Sequence, residues 1–211
     1  MVQKQHTRIS KYGKPYVAGK RKKRIVIGGD PHSGKSTFMA LLHDELKSKK
    51  LDVELFELDA AAGDVQRFKT GKRIEKRPWT PELAKQTHES FIRQARNNDL
   101  TLGDTPGKVS SVTRTVTQGA HGAIVLYRDD TSRRRWLSFF GHKRIPVIAQ
   151  VDSKLIGRGY FNARTNKGRV VGLHRRRYQR GEIDKEMAAI EGVAFEIAQF
   201  FNFSYYDERR F

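Results

Sequence analysis

The sequence of 211 residues predicts an α/β fold with three layers, in which helices cover both faces of a mostly parallel sheet. Short runs rich in Val, Ile and Leu alternate with segments whose apolar residues recur at helical spacing. The first apolar run leads into a glycine-rich turn, and a helical pattern follows that turn. This order of elements is typical of parallel strands joined by crossover helices.

The first half of the chain contains three predicted strands and two predicted helices. Phe38 and Leu42 lie on one face of the first helix, and Thr80 and Pro81 form a start signal for the second. The predicted elements are a strand from 24 that enters the glycines at 28 and 29, a helix over 36–50, a strand over 52–58, a loop over 59–78, a helix from 80 to about 97 and a strand over 100–103.

The second half continues the alternation and then changes character. The predicted elements are a strand over 122–127, a helix over 131–140 ended by Gly141, a strand over 145–150, a hairpin over 156–173 that turns at 164–168, and a closing helix over 182–201. The hairpin is the one part of this order that a parallel sheet does not require.

Positive charge is concentrated in two segments of the chain. There are 42 Lys and Arg against 23 Asp and Glu, which gives a net charge of +19. Residues 1–29 contain nine of these bases, residues 153–181 contain another nine, and neither segment contains an acid. The other 24 bases nearly balance the 23 acids. Such segregation favours a polyanionic partner, either nucleic acid or a ribonucleoprotein.

These patterns also predict the domain organisation. Residues 1–23 lack an apolar period and are predicted to be a basic flexible arm, followed by one domain over 24–204 and a tail over 205–211. Within the domain, 153–181 is a basic segment resembling a hairpin or lid. The absence of Cys excludes disulfides and thiolate zinc sites. No apolar run reaches the ~18 residues of a membrane span and no secretory signal is present, so we expect a cytoplasmic protein.

The glycine-rich turn matches the phosphate-binding pattern GxxxxGK[ST]. It reads Gly29-Asp30-Pro31-His32-Ser33-Gly34-Lys35-Ser36. Glycines let successive backbone N–H groups point at phosphate oxygens, and the following helix adds the positive end of its dipole. We expect Lys35 to reach the β- and γ-phosphates, the Ser36 hydroxyl to ligate Mg²⁺ and Thr37 to contact the α-phosphate.

Acidic side chains at the ends of two other strands complete the predicted site. Asp104 follows a strand at the end where open α/β sheets bind ligands, and we expect it to hold the Mg²⁺ hydration shell. Gly107 is expected to bring its N–H near a γ-phosphate. Asp59 either orients water or acts as a base, or it caps the neighbouring turn. Asp64 is expected to be a solvated loop residue.

The sequence also bears on the nucleobase and on the polyanion. A guanine site ordinarily has an Asn/Thr-Lys-x-Asp motif, and the corresponding positions read Ala149-Gln150-Val151-Asp152, which favours ATP and leaves GTP open through Asp152. Arg133, Arg134 and Arg135 are expected to form a solvated helix face. Tyr160, Phe161 and Tyr178 either stack on bases or belong to the core. The candidate polyanion-binding residues are Lys20, Arg21, Lys22, Lys23, Arg24, Arg175, Arg176, Arg177 and Arg180.

Several of these residues carry a resemblance to a known family. The segments 27–36, 79–82, 120–126, 136–140 and 171–173, with Asp104, are similar to the P-loop NTPase domain that follows the ring-nuclease domain in some CRISPR-associated ring-nuclease proteins. The resemblance implies an ATPase- or kinase-like fold with Lys35, Ser36 and Asp104 in the nucleotide–Mg²⁺ site. Here a basic arm precedes the P-loop instead of a ring-nuclease domain. Asp104-Thr-Pro-Gly107 is also similar to the switch motif of GTPases and related dimeric ATPases, which leaves a homodimer open.

Three functions fit these features. The leading hypothesis is a hydrolase that uses Mg²⁺ and ATP, or GTP, with Lys35, Asp104 and Asp59 as catalytic residues, and that couples hydrolysis to nucleic-acid or ribonucleoprotein binding. The alternative is a kinase that transfers the γ-phosphoryl group to a polynucleotide end or a small molecule. The third is a nucleic-acid-binding module with a vestigial nucleotide site. The three differ in whether phosphate is released, transferred or left in place.

Overall fold

The computed structural model describes residues 22–60, 78–173 and 187–203, which form a seven-stranded sheet with helices on both faces. The elements in chain order are β1 (Lys23–Gly28), α1 (Lys35–Ser48), β2 (Val53–Glu57), α2 (Pro81–Gln94), β3 (Leu100–Asp104), α3 (Ser111–Val116), β4 (Gly122–Tyr127), α4 (Asp130–His142), β5 (Val147–Lys154), β6 (Tyr160–Asn162), β7 (Lys167–Val171) and α5 (Ala188–Phe201). The predicted three-layer α/β fold is confirmed.

The order of the strands across the sheet is β2-β3-β1-β4-β5-β7-β6. All neighbouring strands are parallel except the hairpin pair β6 and β7. In the register, Ile27 of β1 lies beside Asp104 of β3, which in turn lies beside Glu57 of β2. Parallel strands end at the same edge of a sheet, so the segments that follow β1, β2 and β3 meet there.

The two faces of the sheet belong to two separate apolar clusters. Ile25 and Ile27 of β1 pack with α1 and α5, whereas Val26 packs with α2 and α4. This alternation follows from the period of two along a strand. The largest fully buried side chains, Trp136 and Phe38, lie on opposite faces, and burial of such a side chain contributes about 1.5–3 kcal/mol.

The start of α2 follows its sequence signal, whereas the end of α4 does not. Leu83 N–H donates to Thr80 Oγ1 at 3.1 Å, which confirms the predicted N-cap of α2. The prediction that Gly141 ends a helix is wrong, because α4 continues through it to His142 and Arg144 takes the left-handed conformation with φ of 53°. Ile145 N–H then bonds to Phe140 O at 3.0 Å, so a basic residue occupies the position that usually holds Gly.

Other boundaries shift by a few residues. The strand predicted over 145–150 runs instead from Val147 to Lys154, and α3 was not predicted. The hairpin is confirmed as β6 and β7. The closing helix is described from Ala188, and 182–186 lie outside the described residues. None of the helices in the described ranges is both long and apolar enough to cross a bilayer.

Candidate functional site

The loop between β1 and α1 is curled by two residues with positive φ. His32 has φ of 61° and Gly34 has φ of 85°, and Ser33 N–H bonds back to Asp30 O at 3.2 Å. At Gly34 a β-carbon would lie 2.9 Å from Leu173, so the position excludes a side chain sterically as well. No side chain caps α1, which leaves the amides of its first turn for an anion.

The Lys35 side chain lies inside this loop. Its Nζ donates to Gly29 O at 3.0 Å and to Asp30 O at 3.3 Å, and the residue is 9% exposed. The two carbonyl oxygens satisfy the buried ammonium group and hold it next to the curled backbone. The predicted phosphate-binding lysine is therefore positioned at the loop.

Ser36 and Asp104 meet although 68 positions separate them in the chain. Ser36 Oγ donates to Asp104 Oδ2 at 2.6 Å, and Asp104 is 3% exposed. Both atoms are hard oxygen ligands of the kind that Mg²⁺ takes, so the residues fit a magnesium ion. Within the described ranges no group of three or more His, Asp or Glu is arranged to hold a metal. Such a site would rely on water and phosphate oxygens for its other ligands, as magnesium sites usually do.

The segment after Asp104 packs on the loop. Thr105 donates to Ile27 O through its backbone N–H at 3.3 Å and through Oγ1 at 2.8 Å. At Gly107 a β-carbon would lie 2.8 Å from Pro31, so the two segments touch at a point that requires glycine. The structure thus places Gly107 against the phosphate-binding loop; its approach to a γ-phosphate stays a prediction.

The Asp30 carboxylate is tied to α4. Trp136 Nε1 donates to Asp30 Oδ1 at 3.0 Å, and Arg135 donates to Oδ2. Burial raises the pKa of Asp30, but the hydrogen bonds from Trp136 and Arg135, with the positive charge of Arg135, outweigh it and hold that pKa below its usual value. Arg134 and Arg135 are exposed, as predicted for a solvated face, but Arg135 also pairs with Asp30, and Arg133 is only partly exposed. The sequence carries no local signal for this contact, because its partners lie more than 100 positions apart.

Two further acids lie at this edge of the sheet. Leu58 N–H bonds to Asp104 O at 3.0 Å, which brings the end of β2 and the half-buried Asp59 beside β3. Asp152, at the end of β5, pairs with Lys154 Nζ at 3.1 Å and Arg169 Nε at 3.2 Å. Asp64 lies outside the described residues.

A cavity of about 460 Å³ adjoins the loop. This volume is within the range of small-ligand pockets. The buried Ser33 Oγ lies at the cavity and has no hydrogen-bond partner in the part of the chain that the structure describes. The lining residues are His32, Ser33, Gly34, Arg128, Ser153, Lys154, Leu155, Ile156 and Leu173. The cavity therefore joins the phosphate-binding loop to the ends of β5 and β7.

Three of the candidate polyanion-binding residues lie at the other edge of the sheet. Lys22 Nζ pairs with Asp99 at 3.4 Å, Lys23 Nζ lies 5.2 Å from the Phe201 ring centroid, and Arg24 Nε donates to Gly119 O at 3.0 Å. Lys23 is also the first residue of β1, within the predicted arm. Outside the described residues lie Lys20, Arg21, Arg175, Arg176, Arg177, Tyr178 and Arg180.

Neither a model of a known protein family nor a curated protein matches the sequence. Solved structures do match. A putative plasmid partition protein from Borrelia burgdorferi, bound to AMPPNP, is 13% identical over 86% of this chain and 99% of its own, with a TM-score of 0.58. McdA from Cyanthece is 15% identical over 83% of this chain and 99% of its own, also with a TM-score of 0.58.

A third similar structure is the septum site-determining protein MinD from Pyrococcus horikoshii, in complex with Mg-ADP. It is 13% identical over 62% of this chain and 70% of its own, with a TM-score of 0.50. At such identities the likeness concerns the fold, and the resemblance to ring-nuclease-associated NTPase domains stays a prediction. The chain has the α/β fold of P-loop NTPases.

Proposed function

We propose that this protein binds and hydrolyses a nucleoside triphosphate with Mg²⁺, and that it couples hydrolysis to the binding of nucleic acid. The observation that carries the proposal is the 2.6 Å bond between Ser36 Oγ and Asp104, formed beside the buried Lys35. The AMPPNP and Mg-ADP bound to two proteins of similar fold support the same ligand class.

The chain's own groups supply positioning and charge. The amides of the curled loop and of the first turn of α1 would bind phosphate oxygens, and Lys35 would place its charge on the β- and γ-phosphates. A bound magnesium ion neutralises phosphate charge, and Ser36 and Asp104 are the residues that would hold it. Because Arg135 and Trp136 tie Asp30 to α4, the loop keeps its shape before the ligand arrives.

The residues before Asp152 support ATP over GTP. A guanine site ordinarily has an Asn/Thr-Lys-x-Asp motif, whereas this chain has Ala149 and Gln150 ahead of Val151 and Asp152. The cavity beside it carries the apolar side chains of Leu155, Ile156 and Leu173, which suit a flat base. We therefore expect faster turnover of ATP than of GTP.

The test is release of phosphate from γ-³²P-ATP, with and without Mg²⁺ and single-stranded RNA. Lys35→Ala should lose about 100-fold or more of the turnover, since a preorganised charge at the phosphates is removed. Lys47→Ala is the matched control, because Lys47 is an exposed lysine in the last turn of the same helix. Equal turnover by wild type and Lys35→Ala would reject the site.

A kinase is the second candidate, and the placement of Asp59 favours it. Asp59 lies two residues after β2, next to Leu58, whose N–H bonds to Asp104 O, and a general base for an acceptor hydroxyl belongs at that edge. The same labelled ATP distinguishes the two reactions. Label that moves onto RNA or another acceptor identifies a kinase, and label that appears as free phosphate identifies a hydrolase.

A further inference from the structure

The strands β5, β7 and β6 present two unlike faces. On one face α5 packs against all three strands, and Phe161 fits against Gly192, where a β-carbon would lie 2.4 Å from its ring. Phe161 is therefore a core residue. On the other face Tyr160, Asn162 and Lys167 are exposed. A sheet face that carries polar side chains and stays open is available to a partner.

The register brings the exposed side chains together. Tyr160 pairs with Arg169 and Asn162 pairs with Lys167 across the hairpin, while Arg169 lies beside Asp152 of β5. Directly paired residues project from the same face of a sheet, so these side chains form one surface. We call this surface, made by Asp152, Tyr160, Asn162, Lys167 and Arg169, the open face.

Cations and aromatic rings alternate on and beside the open face. The Arg169 guanidinium lies 5.7 Å from the Tyr160 ring centroid, and at the border with α4 the Arg133 guanidinium lies 5.9 Å from the Tyr127 ring centroid. Tyr160 is 48% exposed. An aromatic ring that is held by an arginine and is still open to solvent, as Tyr160 is, suits stacking of an unpaired base.

The charge of the surface is positive. Asp152 is neutralised by Lys154 and Arg169, and the nearby Asp130 is paired with Arg133 at 2.9 Å. Lys167 is exposed on the same face, and residues 153–181 contain nine bases and no acid. A cationic surface with an exposed ring complements a chain of phosphates and bases.

We propose that the open face binds a single-stranded polynucleotide, with a base on Tyr160 and phosphates on Lys167 and its basic neighbours. This inference rests on the nucleic-acid coupling proposed above and assigns it a surface. Lys154 connects the two sites, since it pairs with Asp152 and also lines the cavity beside the phosphate-binding loop. A polynucleotide bound to the open face therefore lies next to the nucleotide site.

The test measures binding of fluorescein-labelled RNA and DNA 15-mers by anisotropy, without nucleotide, as single strands and as duplexes. Tyr160→Ala should weaken single-strand binding at least about fivefold, because one stacking partner is lost, and should leave duplex binding within about twofold. Tyr160→Phe keeps the ring and should bind like wild type. Thermal melts of the variants verify that the hairpin is folded.

Salt dependence tests the phosphate contacts. Lys167→Gln should reduce the slope of log K against log salt by about 0.7, the value for one phosphate contact with a single strand. Lys85→Gln is the matched control, since Lys85 is an exposed lysine on α2, and its slope should equal that of wild type.

A cross-link locates the bound polynucleotide directly. Trypsin releases residues 159–164, which contain Tyr160, and a 5-bromouridine oligonucleotide should attach to this peptide. Unchanged binding by Tyr160→Ala and Lys167→Gln, or cross-links confined to 1–21 or 174–186, would overturn the proposal. Because binding is measured without nucleotide, Lys35→Ala should bind like wild type, which separates failure of this surface from failure of the hydrolase.

Discussion

Asp99 and Asp104 lie at the two ends of β3 and differ in their exposure and in their partners. Asp99 precedes the strand, is 38% exposed in its side chain and pairs with Lys22 at 3.4 Å. Asp104 ends the strand, is 3% exposed and accepts the Ser36 hydroxyl at 2.6 Å. A surface ion pair of the first kind contributes about 0.2–1 kcal/mol to stability, whereas a buried carboxylate beside a hard oxygen ligand is equipped for a metal.

The same contrast separates the two edges of the sheet. At the amino edge, where the parallel strands begin, the side chains of Lys22, Lys23 and Arg24 hold strand ends and loops in place. At the carboxyl edge, where the parallel strands end, Lys35 lies inside the phosphate-binding loop and Ser36 bonds to Asp104. Position in the fold, more than charge, therefore decides what a polar side chain does. Variants at the carboxyl edge should change turnover, and variants at the amino edge should change only stability.

Asp104→Asn gives the largest expected effect. The amide keeps the size of the side chain and removes its charge, so ATP turnover should fall about 100- to 1000-fold while the melting temperature changes little. Asp99→Asn, the matched change at the other end of β3, should leave turnover unchanged. The measurement is Mg²⁺-dependent phosphate release together with thermal unfolding. Equal losses of turnover in Asp104→Asn and Asp99→Asn would contradict the difference in function between the two edges.

Trp136→Phe should have the next largest effect. It removes the indole N–H that donates to Asp30 Oδ1 at 3.0 Å and leaves a partly buried carboxylate with one donor fewer, which costs about 1–3 kcal/mol of stability. Turnover should fall as well, because Asp30 belongs to the phosphate-binding loop. Phe139→Leu disturbs the same ring cluster without touching Asp30 and serves as the control. Urea unfolding and phosphate release distinguish the two variants, since only Trp136→Phe should lower turnover by more than the unfolded fraction explains.

The pH dependence of stability should report the same contact. The pKa of Asp30 is lower in the folded protein than its usual value of 3.8, so its contacts stabilise the fold above that pH. This stabilisation is lost as the pH falls below 3.8 through the folded-state pKa. Wild type should therefore exceed Asp30→Asn in melting temperature by a constant margin between pH 5 and 7, and the margin should shrink below pH 4. A margin that grows in acid would contradict the assigned direction.

Local patterns were enough to predict much of this fold and the centre of its site. The period of apolar residues located β1 and α1, and the glycine spacing between them located Lys35 and Ser36. Asp104 followed from its place after an apolar strand, because parallel strands must end at one edge. These features are encoded by neighbours in sequence, which is the range over which propensity and spacing act.

Contacts between distant segments had no such signal. The bonds from Arg135 and Trp136 to Asp30 depend on how α4 lies against the loop, and a run of three arginines looks the same whether or not its side chains have partners. Lys50 and Arg144 end helices with positive φ, because the hydrogen bonds of the final turn outweigh the local preference for Gly. Tyr160 and Phe161 are adjacent aromatic residues whose roles differ through the pairing of β6 with β7.

Arg24→Gln should have the smallest effect, and it tests whether a residue at the amino edge contributes to stability alone. Its guanidinium donates to Gly119 O at 3.0 Å and lies 3.4 Å from His121 Nε2, and the loss of these contacts should destabilise the fold by about 1 kcal/mol. Turnover of ATP should be unchanged, since Arg24 lies at the amino end of β1 and the phosphate-binding loop follows its carboxyl end. Arg24 is also a candidate polyanion-binding residue, so single-strand affinity is measured beside the melting temperature. If Arg24→Gln lowers the affinity for single strands as much as Lys167→Gln does, polynucleotide binding extends to both edges of the sheet. If only the melting temperature falls, Arg24 has a structural role and binding belongs to the open face.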